Sequence, residues 1–502
     1  MTIDGRRAPV LPPGPAWNHD TEPQPTRGQS GTGRPRPDRR PPGRPVRQRS
    51  TTVGPNARYK RPPQRGRRAR GVVISAFYGG LIASVGVWWL QTPTGSVDSV
   101  GSGMVEAGRI TGMVAGYILL VQILMMSRIG WLDRTISANN LLGAHRDLGM
   151  ALVFVVLMHV ALTIVGYASL SGVSWTSETV TMLTTFEDML SAFVATGILV
   201  GIGLLAIRAI RSAMPYELWY FLHLSSYAVL VLSYGHQFAV GRDLAAGTPA
   251  WWVWAGGYVF VLVCLVQGRL VAPLRFNLRH RLRVAEVVHE GTDMFSLYVS
   301  GRRLHEVQAR AGQFFRWRFL TMGGWWQSHP FSLSAAPNGH WLRLTIKAVG
   351  THTEQLKWLE PGVRVVAEGP SGVFTADHRR RHRALLMAGG SGIAPIRALL
   401  EDLPRGTVVI YRASSQDDLI FREELDWLAE ERDADIIYVI GGRDDPGPRY
   451  VMSTKGLREV VPDVSRRDVY MCGPEGFVSA AVAILTALRV PRRQIHLDPF
   501  EF

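Results

Sequence analysis

Long apolar stretches alternate with short charged segments over the first half of the chain. Between residues 71 and 268, six stretches contain no Asp, Glu, Lys or Arg: 71–97, 110–127, 148–177, 189–207, 218–241 and 244–268. The shortest has 18 residues, and a helix needs about 20 apolar residues to cross the hydrocarbon core of a bilayer. Six such stretches in succession are not typical of a soluble core. The pattern therefore predicts a membrane domain of six helices over 71–272.

The basic residues between these stretches indicate the orientation of the helices. The segments near 91–107 and 170–187 contain no Lys or Arg, and the segment near 241–250 contains only Arg242. The alternate connections carry Arg128, Arg134, Arg208, Arg211, Arg269, Arg275, Arg279, Arg281 and Arg283. Cytoplasmic loops are enriched in Lys and Arg. We therefore expect a multi-pass protein of the cell membrane with both termini in the cytoplasm.

The pattern changes after residue 277. Short segments such as 282–288 and 341–346 alternate between apolar and polar residues and are separated by Gly and Pro. This is typical of antiparallel strands in a small barrel, which we assign to 277–377. From 380 to 502, apolar strands alternate with helical stretches, which is typical of a parallel α/β domain. The expected fold class is an all-α membrane bundle, then a β-barrel, then an α/β nucleotide-binding domain.

Composition changes the picture mainly at the N-terminus. The sequence has 56 Lys and Arg against 40 Asp and Glu, a net charge of +16, but residues 1–70 hold 17 of these bases, 4 of the acids and 14 of the 30 prolines. Such a segment cannot bury enough apolar surface to offset its ordering entropy. We expect 1–68 to be a disordered cytoplasmic tail near anionic lipid. Nucleic-acid binding is the alternative for this charge, and we predict no specific nucleic-acid partner.

Two cysteines, Cys264 and Cys472, are too few for a disulfide framework or for a cysteine-based zinc or iron–sulfur site. Candidate metal ligands are instead four histidines inside the predicted spans. His145 and His159 lie on the third predicted helix, and His223 and His236 lie on the fifth.

These two helices run in the same direction, and the separations of 14 and 13 residues correspond to roughly 20 Å along each axis. Paired across the helices, the histidines would form two bis-imidazole sites, one near each leaflet, as two b-type haems require. A proton relay is the alternative. Thirteen residues turn a helix about 140° away from its starting face, so the fifth helix must bend, either at Ser225-Ser226 or near Gly235.

Two histidine pairs with these spacings resemble the transmembrane domain of ferric reductases and NADPH oxidases. The local sequences at 143–149 and 218–224 are similar to that family as well. The resemblance implies that Arg146 lies near haem propionates, whereas a plain positive-inside anchor is the alternative.

The segment from His329 to Ser334 resembles the FAD motif of ferredoxin–NADP reductase-like domains. The resemblance implies that His329 lies beside the pyrophosphate, that Phe331 packs on the isoalloxazine, and that the hydroxyl of Ser332 reaches the flavin N5 region. Pro330 and Ser334 are the other candidate cofactor-binding residues of the motif. Gly312–Phe314 precedes it in the order that this family uses.

Downstream segments also follow the order of that family. Lys347, Gly350 and Thr353 belong to one of them, in which the turn from Gly350 to Thr353 offers backbone N–H groups and a hydroxyl to a pyrophosphate. The segment Glu368–Gly372 follows it. The resemblance therefore assigns an FAD site to the barrel.

A glycine-rich turn after an apolar strand and before a helix is suited to a dinucleotide phosphate. It is formed by Gly389, Gly390 and Gly392, and Pro395 follows in the helix. About 80 residues later comes Cys472-Gly473-Pro474, which the resemblance places near the nicotinamide; a simple buried thiol is the alternative for the cysteine. The candidate residues of the nicotinamide nucleotide are therefore Gly389, Gly390, Gly392, Pro395, Cys472, Gly473 and Pro474.

The choice of nucleotide and of flavin-covering aromatic rests on fewer residues. Arg412 and Ser414 follow the second strand of the α/β domain and suit a 2′-phosphate, which favours NADPH over NADH. Family members end on an acid, a spacer and an aromatic that covers the flavin. This frame selects Asp498 and Phe500, and Phe502 is the alternative. The expected catalytic residues are Phe500, Cys472 and Ser332.

The resemblance implies an NAD(P)H-dependent flavohaem membrane reductase that contains FAD and two haems and passes electrons to an extracytoplasmic acceptor. We favour a ferric chelate over O₂, because Thr163 stands where animal NADPH oxidases have a further histidine. The outer segments carry carboxylates suited to a cation: Asp98, Glu106, Glu178, Glu187 and Asp243. A superoxide-producing oxidase and an electron-delivery subunit for a partner membrane protein or quinone are the alternatives.

Overall fold

The computed structural model describes residues 65–136 and 138–500. Of the predicted tail, residues 1–64 lie outside this range, and 65–68 belong to the first helix. Twelve helices precede the first strand in the described part of the chain: α1 (Arg65–Gln91), α2 (Val100–Met125), α3 (Gly130–Thr135), α4 (Ala138–Ser171), α5 (Trp175–Thr185), α6 (Met189–Leu205), α7 (Arg208–Ser212), α8 (Tyr216–Leu224), α9 (Ser226–Leu232), α10 (Tyr234–Ala239), α11 (Pro249–Val266) and α12 (Ala272–His280).

Four of the described helices are long and apolar enough to cross a membrane: Gly71–Gln91, Val100–Met125, Asn140–Ser171 and Pro249–His280. A fifth span results if α5 and α6, which are bent by 117° relative to each other, are taken as one. The predicted fifth helix, 218–241, is divided into α8, α9 and α10, each of which is too short to cross a membrane by itself.

Serines interrupt this divided segment. The N–H and the hydroxyl of Ser225 both bond the carbonyl of Leu222, at 3.2 and 2.6 Å, and the Ser233 hydroxyl bonds the carbonyl of Leu230 at 3.3 Å. Serine hydroxyls that bond to the preceding turn compete with the i→i−4 ladder and bend helices. The interruptions separate His223 on α8 from His236 on α10. The helix is therefore interrupted at Ser225, one of the two places where the histidine spacing predicts a bend, and at Ser233, close to the other at Gly235.

Glycines let α2 and α4 approach closely. A Cβ atom on Gly108 would lie 2.6 Å from the Thr163 hydroxyl, and one on Gly112 would lie 2.8 Å from the ring of His159. Small residues at such spacings allow helix backbones to meet inside a membrane. This contact fixes the position of the candidate histidines on α4 relative to α2.

Outward-facing side chains of the helical region are apolar. Ile82, Phe154 and Val253 expose 72%, 65% and 74% of their surface. Such a surface would be costly in water but is compatible with lipid. The helical region is therefore built for a bilayer.

The barrel follows α12 and consists of two antiparallel three-stranded sheets, β1-β2-β5 and β4-β3-β6. Their strands are β1 (Arg283–His289), β2 (Met294–Ser300), β3 (Phe314–Phe319), β4 (His329–Ser332), β5 (Leu342–Lys347) and β6 (Val365–Ser371), and α13 (Thr351–Leu356) lies between the last two. Phe315 and Trp317 of β3 are fully buried, whereas the intervening Arg316 points to the other face. This alternation is typical of a half-buried strand.

The last part of the chain is a five-stranded parallel sheet in the order β11-β10-β7-β8-β9. Its strands are β7 (Ala384–Gly389), β8 (Val408–Ala413), β9 (Asp435–Ile440), β10 (Asp468–Pro474) and β11 (Ile495–Phe500). Its helices are α14 (Ile393–Asp402), α15 (Arg422–Arg432), α16 (Pro446–Val451), α17 (Thr454–Val460) and α18 (Glu475–Ala487). Buried clusters cover both faces of the sheet. The strand order reverses between β7 and β10, where doubly wound folds bind nucleotides. The predicted fold class is confirmed.

Candidate functional site

Two of the four candidate histidines face each other directly. The ring centres of His145 on α4 and His223 on α8 are 6.0 Å apart. Trp219, one turn before His223, stacks on its ring at 5.1 Å with an interplanar angle of 14°, and the guanidinium of Arg211 lies 4.8 Å above the Trp219 ring. The His223 ring is therefore held in place by a stacked column.

The other two histidines line one cavity of about 290 Å³ between the helices. The Nδ1 atom of His159 lies 2.7 Å from the carbonyl oxygen of Gly108. A carbonyl can only accept, so this nitrogen carries the proton and leaves Nε2 as a free base. Carbonyl groups commonly orient metal-bound histidines in this way. His236, Gly112 and Gly116 complete this part of the lining.

The His145–His223 pair fits a haem. Two imidazoles on opposite faces of one metal have ring centres about 6 Å apart, given a metal–nitrogen bond of about 2.0 Å. The His145–His223 separation matches this value. The Nδ1 atoms of His145 and His236 are buried and make no hydrogen bond with the described residues, so a ring nitrogen of each is not engaged by these residues and could bind a metal.

A buried ion cluster lies in the lining of the same cavity. The guanidinium of Arg109 on α2 donates to both oxygens of Glu106, at 2.8 and 2.6 Å, and pairs with the carboxylate of Asp243. The indole of Trp88 also donates to Glu106, at 2.7 Å. Glu106 and Asp243 are two of the carboxylates predicted to suit an external cation. In the structure, Arg109 partly neutralises the charge of both.

The predicted flavin motif forms β4 at the edge of the barrel. The rings of His329 and Phe331 stack at 5.6 Å with an interplanar angle of 12°. His352, on α13, is 6.4 Å from His329. Burial, and then the nearby His352, lower the pKa of His329. The neutral imidazole is therefore the form at physiological pH.

Two polar atoms beside this motif lack partners. The Ser328 hydroxyl and the His352 Nδ1 atom are buried without a hydrogen bond among the described residues. Buried groups of this kind are normally satisfied. Their place next to the stacked rings fits a polar cofactor such as FAD.

Other predicted FAD residues are occupied by protein contacts. The hydroxyl of Thr353 accepts from the N–H of Gly350 at 3.1 Å, so these two groups bond each other rather than facing outward. The Lys347 ammonium pairs with Asp293 at 3.0 Å. Ser334 is fully buried, and its hydroxyl bonds Thr345 at 2.7 Å. The structure therefore brings His329, Phe331 and Ser332 to an open edge but leaves Ser334 inside.

The two predicted nucleotide motifs meet at the carboxyl ends of β7 and β10. A Cβ atom on Gly392 would lie 2.1 Å from the carbonyl of Cys472, and one on Gly473 would lie 2.9 Å from the carbonyl of Gly389. Gly390 adopts a left-handed conformation, with φ of 53°. Glycine is therefore needed for both the turn and the close approach. Pro395 is buried in α14.

A buried carboxyl group joins this edge to the flavin motif. Asp498 of β11 pairs with Cys472 of β10 in the parallel register, and the Cys472 thiol donates to the Asp498 carbonyl at 3.0 Å. The Ser332 hydroxyl lies 3.4 Å from the Asp498 carboxylate. Burial raises the pKa of Asp498 to about 6 and raises the pKa of the Cys472 thiol well above its usual range.

The residues predicted to recognise the 2′-phosphate end β8 and begin the next turn. Arg412 is half-buried and Ser414 is exposed. The neighbouring Ser415 is held by Asp418, whose carboxylate accepts from its N–H at 3.1 Å and its hydroxyl at 2.9 Å. Phe500 ends β11, opposite Pro474 in the register, and Phe502 lies outside the described residues.

Comparison with known families agrees with this arrangement. Residues 111–234 match the family of the ferric reductase like transmembrane component, residues 279–374 match an FAD-binding domain, and residues 386–483 match the oxidoreductase NAD-binding domain. The chain has the domain architecture of the ferric reductases and NADPH oxidases. Its ferric reductase-like helices, FAD domain and NAD domain make it a membrane oxidoreductase that uses a flavin and a nicotinamide nucleotide.

Individual relatives match part of the chain. The "Ferredoxin--NADP reductase B" of Sorangium cellulosum is 29% identical over 201 residues, which are 36% of this chain and 82% of that protein. The "NADPH oxidoreductase" of Mycobacterium tuberculosis is 26% identical over 46% of this chain and 62% of its own length. The "Flavohemoprotein" of Oceanobacillus iheyensis is 27% identical, and the match spans less than half of it, 46%.

Solved structures also match part of the chain. The flavohem-like FAD/NAD binding domain of nitric oxide dioxygenase from Vibrio cholerae aligns with 44% of this chain and 98% of its own, at 22% identity and a TM-score of 0.37. The ferredoxin reductase in carbazole 1,9a-dioxygenase aligns with 44% and 69%, at 20% identity and the same TM-score.

Arg109, Ser328 and His352 were not predicted as site residues from the sequence. Arg109 follows Glu106 by three residues, which places both on one helix face; that spacing was the available signal. Nothing in the sequence shows that Asp243 joins them from the loop before α11.

Proposed function

We propose that this protein moves electrons from NADPH in the cytoplasm through FAD and two b-type haems to an extracytoplasmic acceptor, with ferric chelate as the preferred one. The observation that carries the proposal is the pairing of His145 with His223 at 6.0 Å, with a second histidine pair lining a cavity between the same helices. We further propose the boundaries given above for the tail, membrane, FAD and NAD(P) domains, and a cell-membrane location with both termini in the cytoplasm.

The histidines are proposed as axial ligands, His145 with His223 and His159 with His236. Because each uses one ring nitrogen for the iron, the other needs an acceptor or a defined orientation. Gly108 supplies the acceptor for His159, and Trp219 supplies the orientation for His223 by stacking.

The FAD and nucleotide residues are proposed from β4 and from the carboxyl edge of the parallel sheet. FAD held there would supply a hydride acceptor that can also donate single electrons. Phe331 offers a stacking surface for the flavin ring, held by His329. Gly390 and Gly392 allow the protein backbone to approach the phosphates of the nucleotide. Arg412 and Ser414 would bind its 2′-phosphate.

Asp498, Ser332 and Cys472 are proposed to form the polar wall of the hydride-transfer site. Asp498 with a pKa of about 6 holds a proton at mildly acidic pH and can exchange it with the Ser332 hydroxyl at 3.4 Å. The Cys472 thiol stays protonated, since burial raises its pKa well above the usual range. Phe500 is proposed as the aromatic that covers the flavin.

Preference for ferric iron is supported by the charge of the ion cluster in the cavity that His159 and His236 line. Arg109 is matched by two carboxylates, Glu106 and Asp243, so the ionised cluster carries a net charge of −1. The Thr163 hydroxyl donates to the carbonyl of His159 at 2.7 Å and is not directed at a developing anion. A net negative site favours a cationic acceptor over nascent superoxide.

A superoxide-producing oxidase is the second candidate, and Arg109 is the observation that favours it. The guanidinium lines the cavity together with His159 and His236 and is the kind of donor that stabilises developing negative charge.

The two acceptors are distinguished by turnover of the purified protein with NADPH. We expect faster reduction of ferric chelate under argon than superoxide production in air without iron. A superoxide rate that equals or exceeds the ferric rate would replace the first candidate by the second. Turnover with neither acceptor, but with a quinone, would support an electron-delivery subunit.

A further inference from the structure

One carboxylate joins the membrane helices to the barrel. Glu368 of β6 accepts from Arg318 of β3 at 3.0 Å and pairs with Arg128, which lies between α2 and α3. The Glu368 side chain is 16% exposed and that of Arg128 is 30% exposed. Ion pairs shielded from water in this way are strongly affected when one partner is removed.

Arg128 is held rigidly from the membrane side. Its backbone is left-handed, with φ of 56°, and Arg269 donates to the carbonyl of Met126 at 2.9 Å. A Cβ atom on Gly268 would lie 2.1 Å from the Ser127 carbonyl. The start of this loop therefore packs closely against the end of the last span. This packing restricts the position of Arg128.

A second contact lies one residue away on the same strand. The Asn277 side chain on α12 bonds both backbone groups of Ala367, at 2.9 Å each. Contacts at residues 367 and 368 therefore fix both the position and the rotation of β6 relative to the helices.

These contacts lie between the two proposed electron carriers. On the barrel side, β3 carries Arg318 and pairs with β4, which holds the flavin motif. On the membrane side, Gln122 of α2, six residues before Arg128, donates to the carbonyl of His145 at 2.9 Å. Glu368 thus connects the element beside the flavin motif to the helix beside the inner histidine pair.

We propose that Glu368 is a positioning residue that sets the barrel against the membrane helices for electron transfer between the flavin and the inner haem. The proposal rests on the proposed function. One NADPH supplies two electrons and a proton as a hydride; two ferric haems accept one electron each, and the proton is released to solvent. Loss of the Glu368 charge leaves Arg128 facing Arg316 and Arg269 unneutralised, which loosens this junction and lengthens the transfer distance.

The test uses the full-length holoprotein and measures electron transfer to two acceptors, added ferricyanide and the haems. Ferricyanide takes electrons from the reduced flavin domain in solution, whereas the haem absorbance reports transfer into the membrane domain. For Glu368→Gln we expect a ferricyanide rate close to that of the parent and a clearly slower haem reduction, because a longer distance between the flavin and the inner haem slows electron transfer. Arg128→Gln should behave alike, and the double variant should be no slower than either single one.

A matched control is Glu306→Gln, which removes the exposed pair with Arg279 of α12 and should leave both rates unchanged. Proteolysis between α12 and β1 gives a readout independent of turnover, and cleavage should be faster in Glu368→Gln. Unchanged haem reduction, or equal loss of both rates, would overturn the positioning role. Absence of haem from the parent protein would instead refute the proposed function.

Discussion

At the scale of single residues, the four membrane histidines differ in how the protein holds them. His159 is oriented by the Gly108 carbonyl, and His223 by the Trp219 ring. His145 and His236 have buried Nδ1 atoms without partners among the described residues. The protein therefore orients His159 and His223 by two different contacts, a hydrogen bond and a stacked ring.

The first prediction concerns haem content. The purified protein should contain about two haems per chain, and His145→Leu and His236→Leu should each lose haem because an axial bond is removed. His305→Gln is the control, since the His305 side chain is 73% exposed outside the membrane region. The measurement is the haem-to-protein ratio from the absorption spectrum. An unchanged ratio in both leucine variants would refute the ligand assignment.

A second prediction follows from the raised pKa of Asp498. With a pKa of about 6 in the folded protein against a usual 3.8, the native carboxyl keeps a proton that the unfolded chain has lost between these values. Stability therefore falls as pH rises through this window, by about 3 kcal/mol for two pKa units. Asp498→Asn removes this cost, so its gain in Tm should be larger at pH 8 than at pH 4.5.

The exposed Asp444→Asn is the control for that change and should show no such pH dependence. An equal gain for Asp498→Asn at both pH values would show that the carboxyl ionises as it does in the unfolded chain.

The third prediction concerns the C-terminal aromatic residues. Because the acid–spacer–aromatic frame selects Phe500, Phe500→Ala should change the affinity and selectivity for the nicotinamide nucleotide, whereas Phe502→Ala should not. Truncation after Phe500 should leave hydride transfer nearly unaffected. Binding titrations with NADPH and NADH measure this directly. The opposite pattern would assign the role to Phe502.

At this scale the sequence predicts motif residues better than their partners. His329, Phe331 and Ser332 are recognisable because their order along the chain is informative. Ser334 belongs to the same run, but it faces the barrel interior, where Arg343 donates to its hydroxyl at 3.1 Å. Only the strand register and the packing of distant residues decide that orientation, so a local motif does not predict it.

At the scale of elements, a buried charge network joins the barrel to the α/β domain. Arg343 of β5 donates to Glu424 of α15 at 3.0 Å, and Arg397 of α14 pairs with both Glu424 and Glu401. The side chains of Arg343 and Arg397 are 5% and 7% exposed. These arginines hold the pKa of Glu424 below its usual range against the effect of burial.

The fourth prediction follows from this network. Glu424→Gln keeps the side-chain shape but leaves two nearly buried guanidinium groups with less opposing charge, which should cost about 3 kcal/mol. The thermal midpoint of the reductase half should fall accordingly. Glu459→Gln, which changes the exposed partner of Tyr450, is the control and should have little effect. Equal midpoints for the two variants would mean that the network adds nothing to stability.

Elements themselves were predictable where periodicity is strong. The charge-free stretches predict α2, α4 and α11, and the alternating segments 282–288 and 341–346 largely coincide with β1 and β5. The division of 218–241 into three helices was predictable only as a bend, because the competition between Ser225 or Ser233 hydroxyls and the helix ladder depends on the local backbone. The 117° angle between α5 and α6 has no signal in the hydrophobic pattern.

At the scale of the whole molecule, contacts between elements connect the proposed cofactor sites. The nucleotide motifs meet at the switch point of the parallel sheet, Asp498 links this edge to the flavin motif, and Glu368 links the barrel to the helices. The two histidine pairs lie on the helices of the membrane domain. An inside-negative membrane potential favours outward electron movement by about 2.3 kcal/mol per 100 mV for each charge.

Transfer of electrons across the bilayer is the central claim, and sealed proteoliposomes test it most directly. The protein is inserted with its reductase half outside, ferric chelate and a ferrous indicator are trapped within, and NADPH is added outside. We predict that the trapped iron is reduced and that His236→Leu abolishes this while flavin reduction persists. Reduction of external chelate with no change in the trapped indicator would contradict the account.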